Sequence, residues 1–201
     1  MKKTILVYLT LLVLGCSQPS VNLKELSSNA VILAFGDSLT YGTGVSGEET
    51  YPSILARLTS LEVSNEGIPG EISQDGAKRL PGLLDEIQPE LLILIHGGND
   101  ILRKIPRTET TKNLGKMIVE ARQRGISVIL LGVPEPKLFI TSSAEIYQTI
   151  AEQYDIAADL STLPEILSDQ DLKSDMVHPN AKGYSQMAEN IYSLLKRTGA
   201  L

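Results

Sequence analysis

The sequence predicts an α/β protein: a three-layer αβα sandwich around a central five-stranded parallel sheet. Short apolar stretches alternate along the chain with longer stretches in which apolar residues recur at helical spacing. One short stretch, Leu91–Gly97 (LLILIHG), is apolar on both faces, as in a central parallel strand that helices cover on each side. Strand and helix in regular alternation indicate parallel strands joined by crossover helices.

The predicted strands are short apolar runs that end in glycine or polar residues. The first run stops at Gly36-Asp37-Ser38, and the second and fifth contain fewer apolar residues than the others. The five strands are predicted at Val31–Phe35, Leu61–Asn65, Leu91–Gly97, Ser127–Val133 and Asp155–Asp159.

The predicted helices lie between these strands and after the last one. Each has apolar residues every three or four positions. Pro81, in the second helix, predicts a kink or a break, and Gly125 is suited to the C-terminal cap of the third. The helices are predicted at Thr50–Ser60, Ser73–Gln88, Thr108–Arg124, Ser143–Gln153 and Asn180–Lys196.

The first residues have the pattern of an export signal. Two lysines precede an apolar stretch that ends in LVLGC, which contains Cys16, the only cysteine of the chain. This pattern resembles a bacterial lipoprotein signal, so residues 1–15 are predicted to be a signal peptide and Cys16 to carry lipid. The alternative is a secreted protein without an anchor. Lipid at Cys16 predicts membrane anchoring in the bacterial envelope, on the periplasmic side, and Ser17 is compatible with the outer membrane.

The rest of the chain is predicted to form a mostly polar tether over residues 16–29 and one domain over residues 30–201. A chain of 201 residues is long enough for one full core. Its 42% hydrophobic and 21% charged residues are typical of globular proteins. The formal net charge of −6, without a basic stripe, argues against a nucleic-acid partner.

Polar and glycine residues follow the predicted strands at their carboxyl ends. In a parallel sheet these ends meet at one edge, where ligands bind. The segments that arrive at this edge are Gly36–Ser38, Asn65–Gly70, His96–Asp100, the VPEP stretch after the fourth strand, and Asp175–Asn180 before the last helix.

Four of these segments carry the residue types of nucleophilic catalysis and of an oxyanion hole. Asp175 lies three residues before His178, a spacing that lets a carboxylate orient an imidazole. Ser38 is the hydroxyl from which such a pair could take a proton. An oxyanion also needs donors, and the Asn99 side chain and the Gly70 N–H are candidates. Singly, each residue is more typical of a turn or a helix cap.

Two further residues at this edge have other interpretations. His96 is expected to be packed or hydrogen-bonded behind the site, and Asp37 to brace the turn before Ser38 through backbone N–H groups. A metal site built from His96, His178 and Asp175 is an alternative, but the chain lacks a dense ligand motif.

Four blocks in order resemble the GDSL, or SGNH, hydrolase family: GDSLTYG, NEGIPG, GGND and DMVHPN. The resemblance extends from about Val31 to about Leu195 and is nearest to the compact bacterial thioesterase, lysophospholipase and arylesterase type. It implies a flavodoxin-like SGNH hydrolase fold with a catalytic triad. Ser38, Asp175 and His178 would be catalytic, and Ser38, Gly70 and Asn99 would form the oxyanion hole. Gly67 is the alternative to Gly70.

The resemblance implies a serine esterase that needs no cofactor or metal and acts on a small ester or lipid, such as a lysophospholipid, an acyl or aryl ester, or a thioester. A carbohydrate O-acetylesterase and a non-catalytic envelope lipoprotein that binds a ligand or partner are the alternatives. Apolar residues after two strands are predicted to wall an acyl groove, although they could instead only seal loops onto the core. These residues are Ile101, Leu102, Leu138, Phe139 and Ile140.

Overall fold

Five parallel strands form one sheet with the spatial order β2-β1-β3-β4-β5. The computed structural model describes residues 21–135 and 142–201. Within those residues, no helix has both the length and the apolar character needed to cross a bilayer. The strands are β1 (Val31–Gly36), β2 (Glu62–Gly67), β3 (Leu91–Ile95), β4 (Ser127–Leu131) and β5 (Ala157–Asp159).

The central strands form the interior of the molecule. Every residue of β3 is buried, and only the first residue of β1 and of β4 is partly exposed. β2 lies at one edge of the sheet and is partly exposed along its length. The prediction that the LLILI stretch lies at the centre of the sheet, covered on both faces, is therefore confirmed.

Helices cover both faces of the sheet and complete the three predicted layers. α2 (Tyr51–Thr59) packs against α8 (Ala181–Arg197). α5 (Arg107–Gln123) packs between α3 (Ser73–Ile87) and α6 (Glu145–Tyr154). These five helices match the five predicted ones with small shifts at the ends.

Three short helices are not among the predicted elements. α1 (Ser38–Tyr41) follows β1, α4 (Gly98–Leu102) begins just after β3, and α7 (Thr162–Ser168) lies between β5 and α8. Helical turns also occur at Gly47–Glu49 and Gln170–Leu172. Segments of this length contain too few residues for a periodic pattern to identify them.

The break considered at Pro81 does not occur, because α3 continues through it to Ile87. Proline removes one backbone hydrogen bond from a helix interior. Leu80 and Leu84, on either side of Pro81, are buried in the core, and this burial holds the helix together across the proline.

The part of the predicted tether that the structure describes packs against the domain. The Leu23 N–H donates to the Thr198 carbonyl at 2.8 Å, and the Leu26 N–H donates to the Ala200 carbonyl at 2.9 Å. Both leucine side chains contact the hydrophobic core. This corrects the tether prediction for residues 21–29, where burial of apolar side chains outweighs the polar composition.

Candidate functional site

The candidate site lies at the carboxyl edge of the sheet, where β1 and β3 are neighbours. β2 pairs with one side of β1 and β3 with the other, so the strand order changes direction there. Crevices at such switch points are the usual ligand sites of open parallel sheets. Ser38 begins α1 directly after β1, and Asn99 lies in α4 after β3.

Ser38, His178 and Asp175 form a continuous chain of hydrogen bonds. His178 Nε2 lies 2.9 Å from Ser38 Oγ, and His178 Nδ1 lies 2.8 Å from Asp175 Oδ2. With the Nδ1 hydrogen directed at the carboxylate, Nε2 is free to accept the serine proton. The structure thus joins residues 140 positions apart along the chain.

The Asp175 carboxylate is fixed by the loop that carries His178. Its Oδ1 accepts the Val177 N–H at 2.8 Å and the His178 N–H at 2.9 Å. Burial acts to raise the pKa of Asp175, but the hydrogen bonds from the His178 ring and from these N–H groups outweigh it and lower the pKa. Asp175 therefore stays ionised and can orient a positively charged imidazole.

Asp37 holds the turn that presents Ser38. Its side chain accepts the Leu39 N–H at 3.1 Å and caps α1, as expected from the sequence. Asp37 is only 2% exposed, and burial raises the pKa of its carboxyl against the opposing effect of His96. The turn that presents Ser38 is thus stabilised by a hydrogen bond to a buried carboxyl group.

The structure distinguishes Gly70 from Gly67 by position. Gly70 borders the same cavity as Ser38, and its carbonyl accepts a hydrogen bond from Arg103 at 2.8 Å. Its φ of +81° is one that glycine adopts readily. Gly67 lies in β2 and does not line that cavity, and a Cβ there would be 2.1 Å from the Tyr41 nitrogen. Gly67 therefore serves the close approach of α1 to β2.

The Asn99 amide points toward the start of α1. Its Nδ2 donates to Asp37 Oδ2 at 3.2 Å and to the Glu71 carbonyl at 3.0 Å. These two bonds connect the segments that follow β1, β2 and β3. Asn99 lines the cavity with Ser38 and Gly70, so all three predicted oxyanion residues border one space.

His96 lies behind this edge, fully buried, and takes no part in the Ser38 chain. Its Nδ1 accepts the Gly97 N–H at 3.0 Å, so Nε2 carries the hydrogen that is shared with Glu71 at 3.1 Å. The prediction of a hydrogen-bonded histidine behind the site is confirmed. The described ranges contain no group of three or more His, Cys, Asp or Glu side chains that could hold a metal ion.

The cavity beside Ser38 has a volume of about 240 Å³ and mainly apolar walls. Two of its side chains are strongly exposed: Met176 at 77% and Leu102 at 50%. Because both side chains line the cavity, their exposed apolar surface can contact a ligand bound there. The apolar lining includes Leu39, Pro69, Leu102, Val133, Leu167, Met176 and Val177.

The predicted acyl groove is only partly reproduced by this lining. Leu102 borders the cavity, whereas Ile101 does not line it and packs against the hydrophobic core, which is the alternative role considered for these residues. Leu138, Phe139 and Ile140 lie outside the described residues. Cys16 and the predicted signal peptide lie outside them as well.

Several residues near the site were not identified from the sequence. Glu71 and Arg79 form an ion pair at 2.8 Å behind the Gly70 turn. Glu71 lies just before α3 and Arg79 lies within it. Charged residues at such positions normally indicate solvent exposure, so no pattern marked them. Met176 stands inside the DMVHPN block, so the signal available in the sequence was an apolar residue two positions before His178.

A family model described as "GDSL-like Lipase/Acylhydrolase family" matches residues 34–186. The chain is 30% identical over 196 residues to "Esterase TesA" of Pseudomonas aeruginosa, covering 92% of this chain and 97% of that protein. It is also 28% identical over 156 residues to "Thioesterase 1/protease 1/lysophospholipase L1" of Escherichia coli K12, covering 74% and 75%.

Among solved structures, the fold is similar to the crystal structure of TesA. The TM-score is 0.73 at 27% identity, covering 84% of this chain and 99% of that one. The α/β architecture derived from the strand order is therefore shared with a solved protein.

Proposed function

The chain belongs to the GDSL-like lipase/acylhydrolase family and is an ester hydrolase, and on that premise we propose that Ser38 is its nucleophile. The observation that carries this proposal is the hydrogen-bond chain from Ser38 Oγ through His178 to Asp175. His178 acts as general base and general acid, and Asp175 orients it.

The proposed reaction proceeds through an acyl-enzyme. Ser38 Oγ bonds to the ester carbonyl carbon while its proton passes to His178 Nε2, which gives a tetrahedral oxyanion. Collapse breaks the bond to the leaving alcohol or thiol, which takes the proton from His178. Water then attacks in the same way and releases the acid. No step requires a cofactor.

The proposed oxyanion donors are the N–H groups of Ser38 and Gly70 and the side-chain amide of Asn99. All three residues border the cavity. The longer of the two Asn99 hydrogen bonds, at 3.2 Å to Asp37, is the one that the oxyanion would share. Loss of one such donor typically lowers turnover by about 100- to 1000-fold.

The apolar cavity supports an acyl chain as the group bound beside Ser38. We propose small acyl esters, aryl esters, thioesters and lysophospholipids as the substrate class, with Leu102 and Met176 as groove residues. Activity on p-nitrophenyl esters should then rise from the acetyl to medium-length acyl chains. A steady fall from acetyl upward would indicate that these side chains only seal the loops.

For location, we propose export to the bacterial envelope with a lipid anchor at Cys16. The support is the basic and apolar start of the sequence followed by LVLGC. A Cys16→Ser variant should lose metabolic labelling with a radioactive fatty acid, and equal labelling of both forms would refute the anchor.

The carbohydrate O-acetylesterase and non-catalytic alternatives are not favoured by the relatives or by the apolar cavity.

The test of the nucleophile compares two serine variants on p-nitrophenyl butyrate. Ser38→Ala should lower kcat by at least about 10⁴-fold, because no other group can form the acyl-enzyme. Ser127→Ala is the matched control, since Ser127 lies at the amino end of β4, whereas Ser38 lies at the carboxyl ends of the strands. Substantial turnover by Ser38→Ala would refute the proposal.

A further inference from the structure

Glu71 connects the groups that border the site of the expected oxyanion, and we propose that it is a positioning residue for the oxyanion hole. The inference rests on the proposed function. Glu71 neither lines the cavity nor touches Ser38 within the described residues, so it acts through its neighbours.

The backbone of Glu71 joins the two donors that lie outside the Ser38 turn. Glu71 directly follows Gly70, and its carbonyl accepts the Asn99 Nδ2–H at 3.0 Å. The positions of the Gly70 N–H and of the Asn99 amide therefore both depend on the Gly70–Glu71 segment. A displacement of this segment moves both donors.

The side chain of Glu71 fixes that segment from behind. Arg79 donates through Nε to Oε1 at 2.9 Å and through Nη2 to Oε2 at 2.8 Å. The buried His96 ring adds a third contact, 3.1 Å from Oε2. The Glu71 side chain is only 7% exposed, and such a two-point pairing restricts its orientation as well as its distance.

The groups that hold Glu71 are themselves fixed. The Arg79 guanidinium also donates to the Glu66 carbonyl at 3.0 Å and lies 4.3 Å above the Phe35 ring. His96 follows β3 and is fully buried. Glu71 is thus held between α3, β1 and β3, which are parts of the rigid interior.

This arrangement predicts a specific defect when the Glu71 side chain is changed. Donors that stabilise a transition state must lie within a fraction of an ångström of their target, and a displacement of about 1 Å can lower the rate about 100-fold. The acyl cavity does not include Glu71, so substrate binding should change little. The loss should therefore appear in kcat and leave KM nearly unchanged.

The variant to test is Glu71→Gln, with p-nitrophenyl butyrate as substrate. The amide keeps the size of the side chain but presents an N–H to one of its three donors. We expect kcat to fall about 10- to 100-fold and KM to change less than about 3-fold. Asp85→Asn is the matched control, because Asp85 forms a similar two-point pair with Arg124, at 2.7 and 3.2 Å, away from the site.

A double-mutant cycle with Asn99→Ala separates positioning from general destabilisation. If Glu71 holds both the Asn99 amide and the Gly70 N–H, then Glu71→Gln should lower kcat less in the Asn99→Ala background than in the wild type, because only the Gly70 contribution remains to be lost. Equal factors in both backgrounds, an effect confined to KM, or kcat within about 2-fold of wild type would each overturn the proposal that Glu71 holds the two donors together.

Arg79→Lys keeps the inference testable if Glu71→Gln does not fold. Lysine preserves the charge but cannot make the two-point contact, so kcat should fall in the same direction and with the same dependence on Asn99. Failure of the proposed function would look different, because the wild-type protein would then hydrolyse no ester through Ser38. Failure of the Glu71 inference leaves wild-type turnover intact.

Discussion

Asp175 uses its two carboxylate oxygens for two different tasks. Oδ2 meets the His178 ring, and Oδ1 accepts two backbone N–H groups of the same loop. The pairing of Asp175 with His178 could be predicted because a spacing of three residues makes it a local contact. The hydrogen bonds from the backbone N–H groups to Oδ1 could not be predicted, because the sequence does not give the path of the loop.

Asp175→Asn should separate these tasks. One amide oxygen can still accept the backbone N–H groups, but the amide N–H₂ would face His178 Nδ1 and favour the wrong tautomer. We expect kcat to fall on the order of 10⁴-fold with little change in melting temperature. The measurement is ester hydrolysis together with thermal unfolding. Unchanged kcat would show that the carboxylate does not orient His178.

The contact between Glu71 and Arg79 could not be predicted from residue types. Their contact, and that of Glu71 with His96, joins positions that are separated along the chain and that only the folded sheet brings together. By contrast, His96 was expected behind the site because it directly follows a buried strand. Predictions from single residues therefore succeeded where a local contact or a strand end fixed the position.

At the scale of elements, continuous apolar runs predicted the inner strands β1, β3 and β4, and helical spacing predicted the five long helices. The edge strands β2 and β5 are less apolar and were predicted from their place in the alternation of strands and helices. The short helices α1 and α4 were missed, although they carry Ser38 and Asn99. The formation of α1 depends on a local cap, in which the Asp37 side chain accepts the Leu39 N–H. A periodic pattern of apolar residues does not report such a cap.

The contact between α1 and β2 can be tested at Gly67. A Cβ at this position would be 2.1 Å from the Tyr41 nitrogen, so Gly67→Ala must push α1 away from the strand. We expect a loss of about 1–3 kcal/mol in the free energy of unfolding and a lower kcat, because α1 begins with Ser38. Urea unfolding and ester hydrolysis measure the two effects.

Gly82→Ala is the control for this prediction. Gly82 lies in α3, and a Cβ there meets no atom within 4 Å. Alanine in a helix interior is favoured over glycine by about 0.5–1 kcal/mol, so this variant should be at least as stable as the wild type and fully active. Equal behaviour of the two variants would contradict the proposed close contact at Gly67.

At the scale of the whole molecule, the sheet order places β1 beside β3 and so brings Ser38 and Asn99 to one crevice. Alternation of strands and helices predicted that the carboxyl ends would share an edge. The motifs then predicted which residues would lie there. The walls of the cavity were harder to predict, since whether Ile101 or Leu102 faces the cavity depends on the rotation of α4.

The stability of the whole molecule should depend on pH through Glu71. Burial acts to raise the pKa of Glu71, but hydrogen bonds from His96 and Arg79, with the Arg79 charge, lower it from 4.5 to about 2. The folded state therefore binds the Glu71 proton more weakly than the unfolded state. The resulting stabilisation is fully present above about pH 5 and is lost as the pH falls toward 2.

Urea unfolding of wild type and Glu71→Gln at several pH values tests this dependence. The wild type should be the more stable at about pH 7, and the difference should shrink as the pH falls below about 4.5. Asp85→Asn again serves as control, because Asp85 is largely exposed and its pair with Arg124 should contribute little. A difference between wild type and Glu71→Gln that is constant with pH would contradict the role of the Glu71 charge.

The central claim is that Ser38 is a working nucleophile, and covalent labelling tests it most directly. The wild-type protein is treated with a fluorophosphonate, and the modified peptide is identified by mass spectrometry. We predict one adduct, on Ser38, that forms much more slowly in a His178→Ala variant and is absent from Ser38→Ala. The absence of an adduct on Ser38 in the folded wild-type protein, or an adduct on a different residue, would contradict the account.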